Sequence, residues 1–324
     1  MNTASVTNTT NTDNNTADAL LSLSYSSLNQ FNSCPAKFML SKCSDLPNER
    51  RNSAAALIGT AVHESFQYYL ITNSFEGALK LLMMKYPVKL KKACTGKYHF
   101  LTAFTILKKL VAWYGESGLE LVYVNGLPAV EFFVNTEYSV PDAKVLKRFK
   151  YVGFIDVIFR DKASGALIVC DIKTSSTTVS SEEEYSKYAL SPQTVEYVSN
   201  VLSLMGYSAE EVREVINSVQ VLYLICRFNG TECDVAPLYF KKTAECIDNL
   251  TGGIRNVIRT IEYSGWSLSK YFKSGNCASF GQQCPFFQLC LSNTNVPLAI
   301  QPQPLRKNPF NTKTISKTIY LQGD

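Results

Sequence analysis

Tyr151-Val152-Gly153-Phe154-Ile155-Asp156-Val157-Ile158-Phe159, then Asp161-Lys162-Ala163-Ser164-Gly165, then Ala166-Leu167-Ile168-Val169-Cys170-Asp171-Ile172-Lys173: the fold is decided by how this stretch is read. Its outer pieces are apolar, β-branched and aromatic runs and read as strands. The middle piece has the Asp, Ser and Gly of a turn. A loop of Lys162 to Gly165 places Asp156 directly across from Asp171, because partners sit symmetrically about the turn. Side chains alternate along a strand, so Asp171 and Lys173 share a face, and Asp156 can share it across the pair. Two carboxylates and a lysine then converge at the end of an apolar sheet. Charges are costly there unless a metal ion or a substrate answers them. Each piece alone has a plainer explanation, since a strand-end Asp is often a turn former and Asp-x-Lys arises readily by chance. The rest of the chain weighs between the two.

At 324 residues the chain can bury a sizeable core as one large domain or two small ones. Its 46% hydrophobic and 18% charged content suits a well-packed globular protein. No apolar run approaches the roughly 20 residues needed to cross a bilayer. Met1 to Ala19 is Asn/Thr-rich, lacks the basic start and apolar core of a signal peptide, and reads as a disordered leader. The expected location is the cytoplasm, where disulfides are rare. A net charge of +5 is compatible with a polyanionic partner but too small to argue for one. Basic clusters at Lys85 to Lys97 and Lys144 to Lys150 read as solvated faces or as DNA contacts.

Working outward from the hairpin, Ala129 to Tyr138, Ser218 to Cys226 and Val235 to Phe240 read as further strands. Ahead of them, Ser24 to Phe31 opens a short helix capped by Ser24 or Ser26, ending near Cys34-Pro35. Helices follow at Ala54 to about Ile71, Phe75 to Met84, and Phe100 to Tyr114, the last with an apolar stripe at Leu101, Phe104, Leu107 and Val111. After the hairpin comes a polar loop, Ser175 to Glu184, and a helix from Pro192 to Met205 with Ser191 as its cap and Gly206 as its stop. A helix spans Thr243 to Ile261. The pattern predicts one α/β domain over 23–291, with a mixed sheet and N-terminal helical additions. It is preceded by a leader (1–22) and followed by a loosely ordered tail (292–324).

Ten cysteines in such a chain call for a reason. Cys43, Cys94, Cys170, Cys226, Cys233 and Cys246 are scattered singly and read as small buried hydrophobes. Cys277, Cys284 and Cys290 stand at metal-ligand spacing, and Cys34 is the natural fourth. Four thiolates suit zinc or a [4Fe–4S] cluster, and softness alone does not separate the two. A site joining residue 34 to residue 277 would close most of the chain into a loop. By analogy with a disulfide across such a loop, that is worth on the order of 5 kcal/mol in the chain-entropy picture.

Six motifs in order carry a family resemblance: Leu28-x5-Cys34-Pro35-x2-Phe38, Gly59-Thr60-Ala61-Val62-His63, Gly153-x2-Asp156, Asp171-x-Lys173, Gln193-x3-Tyr197 and the terminal cysteine triplet. Over about residues 24 to 291 the chain resembles the PD-(D/E)XK nucleases, specifically their RecB-like branch with an iron–sulfur cluster. That branch includes phage exonucleases, a CRISPR-associated nuclease of spacer acquisition and the AddB subunit of helicase–nucleases. The resemblance implies a restriction-endonuclease-like core and a DNA exonuclease that uses Mg2+ or Mn2+. It also implies a [4Fe–4S] cluster on Cys34, Cys277, Cys284 and Cys290.

Carried over by position, His63, Asp156 and Asp171 match the family's metal ligands, with the carbonyl of Ile172 as a further oxygen. Lys173 matches the catalytic lysine, which would orient or deprotonate the attacking water and stabilise the transition state. Gln193 and Tyr197, four apart on one helix face, match a motif that lines the active site and helps hold DNA. Gly59, one turn before His63, leaves room for close approach. Glu131, on the strand before Asp156, is an additional acidic candidate or a surface carboxylate. Tyr185 and Tyr188 beside the polar loop are candidates for stacking on unpaired bases. The six residues between Cys277 and Cys284, where the CRISPR-associated and AddB members usually show two, favour the phage-exonuclease side. Expected partners are DNA ends and, in recombination, a partner protein, with no membrane involved. The alternatives are a CRISPR-adaptation-type end-trimming nuclease and a catalytically silent DNA-end-binding scaffold. The presence of His63, Asp156, Asp171 and Lys173 together argues against the scaffold.

Overall fold

A computed structural model describes residues 20–46, 54–86, 99–140, 143–175, 181–229, 232–274, 277–279, 282–292, 296–300 and 315–320. Residues 1–19 of the expected leader, 87–98 of the first basic cluster with Cys94, 176–180 of the expected polar loop and most of the expected tail lie outside the described residues.

The chain enters through β1 (Leu21–Leu23) and α1 (Tyr25–Ser33). Ser24 caps α1 reciprocally with Ser27: Ser27 N–H donates to Ser24 Oγ (3.3 Å) and Ser24 N–H to Ser27 Oγ (2.8 Å). The leader expected to run to residue 22 is thus corrected at its end, because Leu21 and Leu23 are buried and pair with the sheet. α1 ends at Cys34 as expected, and Pro35 then starts a further helix, occupying the first position of α2 (Pro35–Lys42), where its missing N–H costs nothing. α3 (Ala54–Thr72), α4 (Phe75–Lys85) and α5 (Phe100–Glu116) follow at the expected places. The expected stripe of α5 is corrected, since Leu101 is exposed and the buried face carries Ala103, Ile106, Leu107 and Leu110.

The strands are β2 (Leu119–Leu121), the short β3 (Tyr123–Val124) and β4 (Leu127–Pro128), β5 (Val130–Ser139), β6 (Arg148–Asp161) and β7 (Leu167–Ser175). Three helices come next: α6 (Ser181–Ala189), α7 (Gln193–Leu204) and α8 (Ala209–Val215). α6 occupies part of the stretch expected to be a polar loop. At α7 the expected cap is corrected: Pro192 is the boundary residue with no side-chain cap bond, and the carbonyl of Ser191 instead accepts from the buried Lys242 Nζ at 3.0 Å. β8 (Gln220–Asn229), β9 (Glu232–Lys241), α9 (Ala244–Ser264), the paired β10 (Ala278–Ser279) and β11 (Gln282–Gln283), α10 (Phe287–Leu291) and β12 (Ile315–Tyr320) complete the chain.

The main sheet runs β12-β5-β6-β7-β8-β9, with β1 and β2 also paired to β6. β12 is parallel to β5 and β7 to β8; the β5–β6, β6–β7 and β8–β9 pairs are antiparallel. This is the mixed α/β architecture expected, with one difference: β12 is a strand within the part of the chain expected to be a loose tail. Each face buries a separate core. One, with Phe31, Phe38, Tyr151, Val198 and Ile258, lies under α1, α2, α7 and α9. The other, with Val62, Phe66, Ile106, Phe159 and Leu222, lies under α3, α4 and α5. Helices covering both faces explain why the central strands read as nearly continuous apolar runs.

Candidate active site

The hairpin forms as its turn chemistry dictates. Asp161 closes the loop by accepting from the backbone N–H groups of Ala163 (3.1 Å) and Ser164 (2.7 Å), and Gly165 takes the left-handed backbone (φ 73°) that ends it. β6 and β7 pair from Arg160↔Leu167 to Val157↔Cys170, a register that continued by one step sets Asp156 opposite Asp171. There the ladder stops. The backbone N–H of Ile172 donates to Asp156 Oδ2 (2.7 Å), so a carboxylate replaces the next strand bond and the two strands part around it. β1 pairs with the far end of the same β6 edge, at Phe149 to Tyr151, leaving the intervening edge to line a cleft of about 580 Å3.

Helices on both faces complete the cleft. Cores on opposite faces take Ile168, Cys170 and Ile172 on one side and Val169 on the other, so Asp171 and Lys173 look toward α7. There Gln193 Nε2 donates to Asp171 Oδ1 (2.9 Å) and to Tyr197 Oη (3.1 Å), while Lys173 Nζ donates to Gln193 Oε1 (3.1 Å). Lys173 Nζ also lies 2.6 Å from Asp171 Oδ2. From α3, His63 Nδ1 comes within 3.8 Å of Asp156 Oδ2. Two glycines permit these approaches. A Cβ on Gly59 would fall 2.6 Å from Thr174 Oγ1, and one on Gly153 would fall 2.7 Å from Tyr197 Cε1. α3 is thereby pressed onto β7, and Tyr197 onto β6.

The electrostatics are those of buried like charges. Burial, then the Asp171 carboxylate, holds Asp156 well above the usual carboxylate range, against Lys173 and the Ile172 N–H. Asp171 is raised by burial, with Lys173 opposing. Burial works to lower the Lys173 ammonium, but Asp171 and Asp156 outweigh it and the net shift is upward. Tyr197 is held far up, first by burial and then by Asp171. Asp171 is 1% exposed, and its Oδ2 has no hydrogen-bond donor among the described residues apart from the ion-paired Lys173. Carboxylate oxygens, a backbone carbonyl and an imidazole suit Mg2+ or Mn2+ by donor type. Among the described residues no three His, Cys, Asp or Glu side chains already stand as a formed metal site.

Glu131 is no surface carboxylate: it is 2% exposed and lines the cleft. Sequence reading missed its partner, Gln67, which is fully buried and donates to Glu131 Oε1 (3.0 Å) and to the Asp156 carbonyl (3.2 Å). Its position four residues after His63 on the same helix face was the available signal. Also missed was the N-terminus of α1, where Ser24, Tyr25 and Ser26 form one wall. Tyr188 is a correction, since it is buried and stacked on Tyr223 with ring centroids 4.6 Å apart, and so cannot stack on bases. Tyr185 packs against Phe240 at 4.7 Å.

At the C-terminal end of α1, whose first residues line the cleft, Cys34 separates α1 from α2, and Cys290 lies on α10. The backbone N–H of Cys284 donates to the Cys277 carbonyl (2.7 Å), and Lys273 Nζ donates to the Cys290 carbonyl (3.0 Å). All four cysteines are half-buried. Burial raises the Cys290 thiol against Lys273, and Cys284, Cys34 and Cys277 are near enough to add to the rise, though among the described residues no three of these thiols stand close enough together to hold a metal. Cys43, Cys170, Cys226 and Cys233 are buried, and Cys246 is half-buried.

Compared with known proteins, residues 22–291 match the family model described as the PD-(D/E)XK nuclease superfamily. A solved structure described as "Crystal structure of SSO0001" is 13% identical, with a TM-score of 0.27, covering 62% of this chain and 74% of that one. So loose a likeness carries no argument. No curated protein matches.

Proposed function

Because the chain belongs to the PD-(D/E)XK nuclease superfamily, we propose that it is a metal-dependent DNA exonuclease of the RecB-like branch, acting in DNA recombination, repair or phage DNA metabolism. The observation that carries the reading is the parting of β6 and β7 at Asp156 and Asp171, with Lys173 ion-paired beside them. Mg2+ or Mn2+ held by Asp156, Asp171, His63 and the Ile172 carbonyl would supply Lewis acidity and an acidified water. The chain's own groups do the rest. Lys173, kept protonated by its carboxylate neighbours, serves better to orient the water and offset phosphate charge than to take a proton. Gln193 bonds to both members of the Lys173–Asp171 pair and so fixes their orientation, and Tyr197 braces Gln193. Ile172 N–H and His63 fix the Asp156 carboxylate from two sides.

The same proposal places a structural [4Fe–4S] cluster on Cys34, Cys277, Cys284 and Cys290, supported by the nearness of the other three thiols to Cys290. We read 23–291 as one nuclease unit whose ends this cluster joins. Both parts are tested on anaerobically purified protein, by broad visible absorption near 400 nm and by digestion of linear against covalently closed circular DNA. A brown protein that digests only the linear form is expected. Equal digestion of the circle would overturn the exonuclease reading, and a colourless active protein would overturn the cluster.

A further inference from the structure

We propose that Glu131 is a third carboxylate of the cation centre and that Gln67 is the positioning residue that aims it; this rests on the metal-dependent reading above. The register of β5 with β6, Val130↔Val157 and Phe132↔Ile155, puts Glu131 directly across from Asp156. At that pair both strands lose their alternation. Phe132, Val134, Tyr151 and Ile155 face one core, whereas Val130 and Val157, two residues on from their partners, face the other. A period of two does not allow this without a slip of one residue. On β5 the slip falls at Glu131, whose backbone lies in the left-handed region (φ 47°), a conformation uncommon for a non-glycine residue.

The kink is held from α3. With the ladder broken, Gln67 Nε2 takes over the Asp156 carbonyl (3.2 Å) and, with the same amide, Glu131 Oε1 (3.0 Å). The amide cannot turn round, since its oxygen would then face both acceptors. In this orientation Gln67 Oε1, on a fully buried residue, has no hydrogen-bond donor among the described residues. Glu131, Asp156 and Asp171 thus share a buried site whose cationic side chain is Lys173, with His63 at its rim. Three carboxylates lining one cleft, one of them aimed by the amide of a fully buried glutamine, fit a hard divalent cation. An uncharged residue at 131 would leave the kink unused.

The test is Mn2+ binding by titration calorimetry on the full chain purified anaerobically, comparing wild type with E131Q and Q67L, each checked by thermal melting. Affinity in E131Q should fall by about 10–100-fold, with a smaller fall in Q67L, which keeps the carboxylate and loses its support. If E131Q does not fold, E131N takes its place, because Asn tolerates a positive φ. Unchanged affinity in a folded variant overturns the proposal while leaving the nuclease reading standing, provided wild type still cuts DNA with Mn2+. Failure of both variants to fold assigns Glu131 to structure and also overturns it. Wild type that neither binds Mn2+ nor cuts DNA overturns both.

Discussion

Gln193 meets its neighbours with both ends of one amide: its oxygen receives Lys173, and its nitrogen serves Asp171 and Tyr197. Gln193→Ala therefore leaves Lys173 and Asp171 paired with each other but without the amide that orients both. Single-turnover cleavage should slow by about 10–100-fold, the usual cost of losing a group that orients an active-site ligand, with a smaller change in DNA affinity. The Asp156 carboxyl gives a pH prediction. Its value in the folded protein lies well above 3.8, mainly through burial and then Asp171. A carboxyl raised on folding binds more protons in the folded state, so its stabilising contribution is complete below the unfolded value and is lost as pH rises through the folded one. In metal-free protein the stability of wild type relative to Asp156→Asn should accordingly fall as pH climbs from about 4 toward neutrality, as melting curves of the two across that range would show. A wild-type-minus-variant difference that stays flat or rises with pH would show that Asp156 is not held protonated by its surroundings.

At the scale of elements the site depends on how closely α3 and α7 lie on the hairpin. Gly59→Ala places a methyl carbon 2.6 Å from Thr174 Oγ1, so either Thr174 turns away or α3 lifts, carrying His63 and Gln67 with it. The helix itself gains from alanine, which partly offsets an overpacking cost of about 1–3 kcal/mol. Activity should consequently drop more than the melting temperature does, as activity assays beside melting curves would show. Much of this was legible beforehand. Asp161 and Gly165 announce the turn and fix the register, and Gly59 beside His63 announces the close approach. What escaped has physical reasons. α6 is polar and Glu-rich, without a helical apolar stripe. α2 begins at Pro35, a residue that reads equally as a stop. The kink at Glu131 follows from a backbone angle that no strand-like run such as Val130 to Val134 discloses, and with it Gln67 went unseen.

For the whole molecule, the proposed cluster would link the start of α2 to the segment carrying β10, β11 and α10, far apart in sequence. Cys34→Ser should bleach the visible absorption and lower stability by on the order of 5 kcal/mol if the cluster acts as a staple. A bleached variant melting like wild type would leave the cluster without that role. β12, edging the sheet beside β5, escaped for a related reason, because its partner lies far back along the chain. The central claim remains that the parted hairpin is where phosphodiester bonds are cut. The measurement that meets it most directly is digestion of linear DNA with Mg2+ or Mn2+ by wild type, by Lys173→Ala and by Asp171→Asn, all purified anaerobically and matched for folding. Metal-dependent digestion by wild type, lost in both folded variants, is the predicted result; digestion that survives either substitution would contradict it.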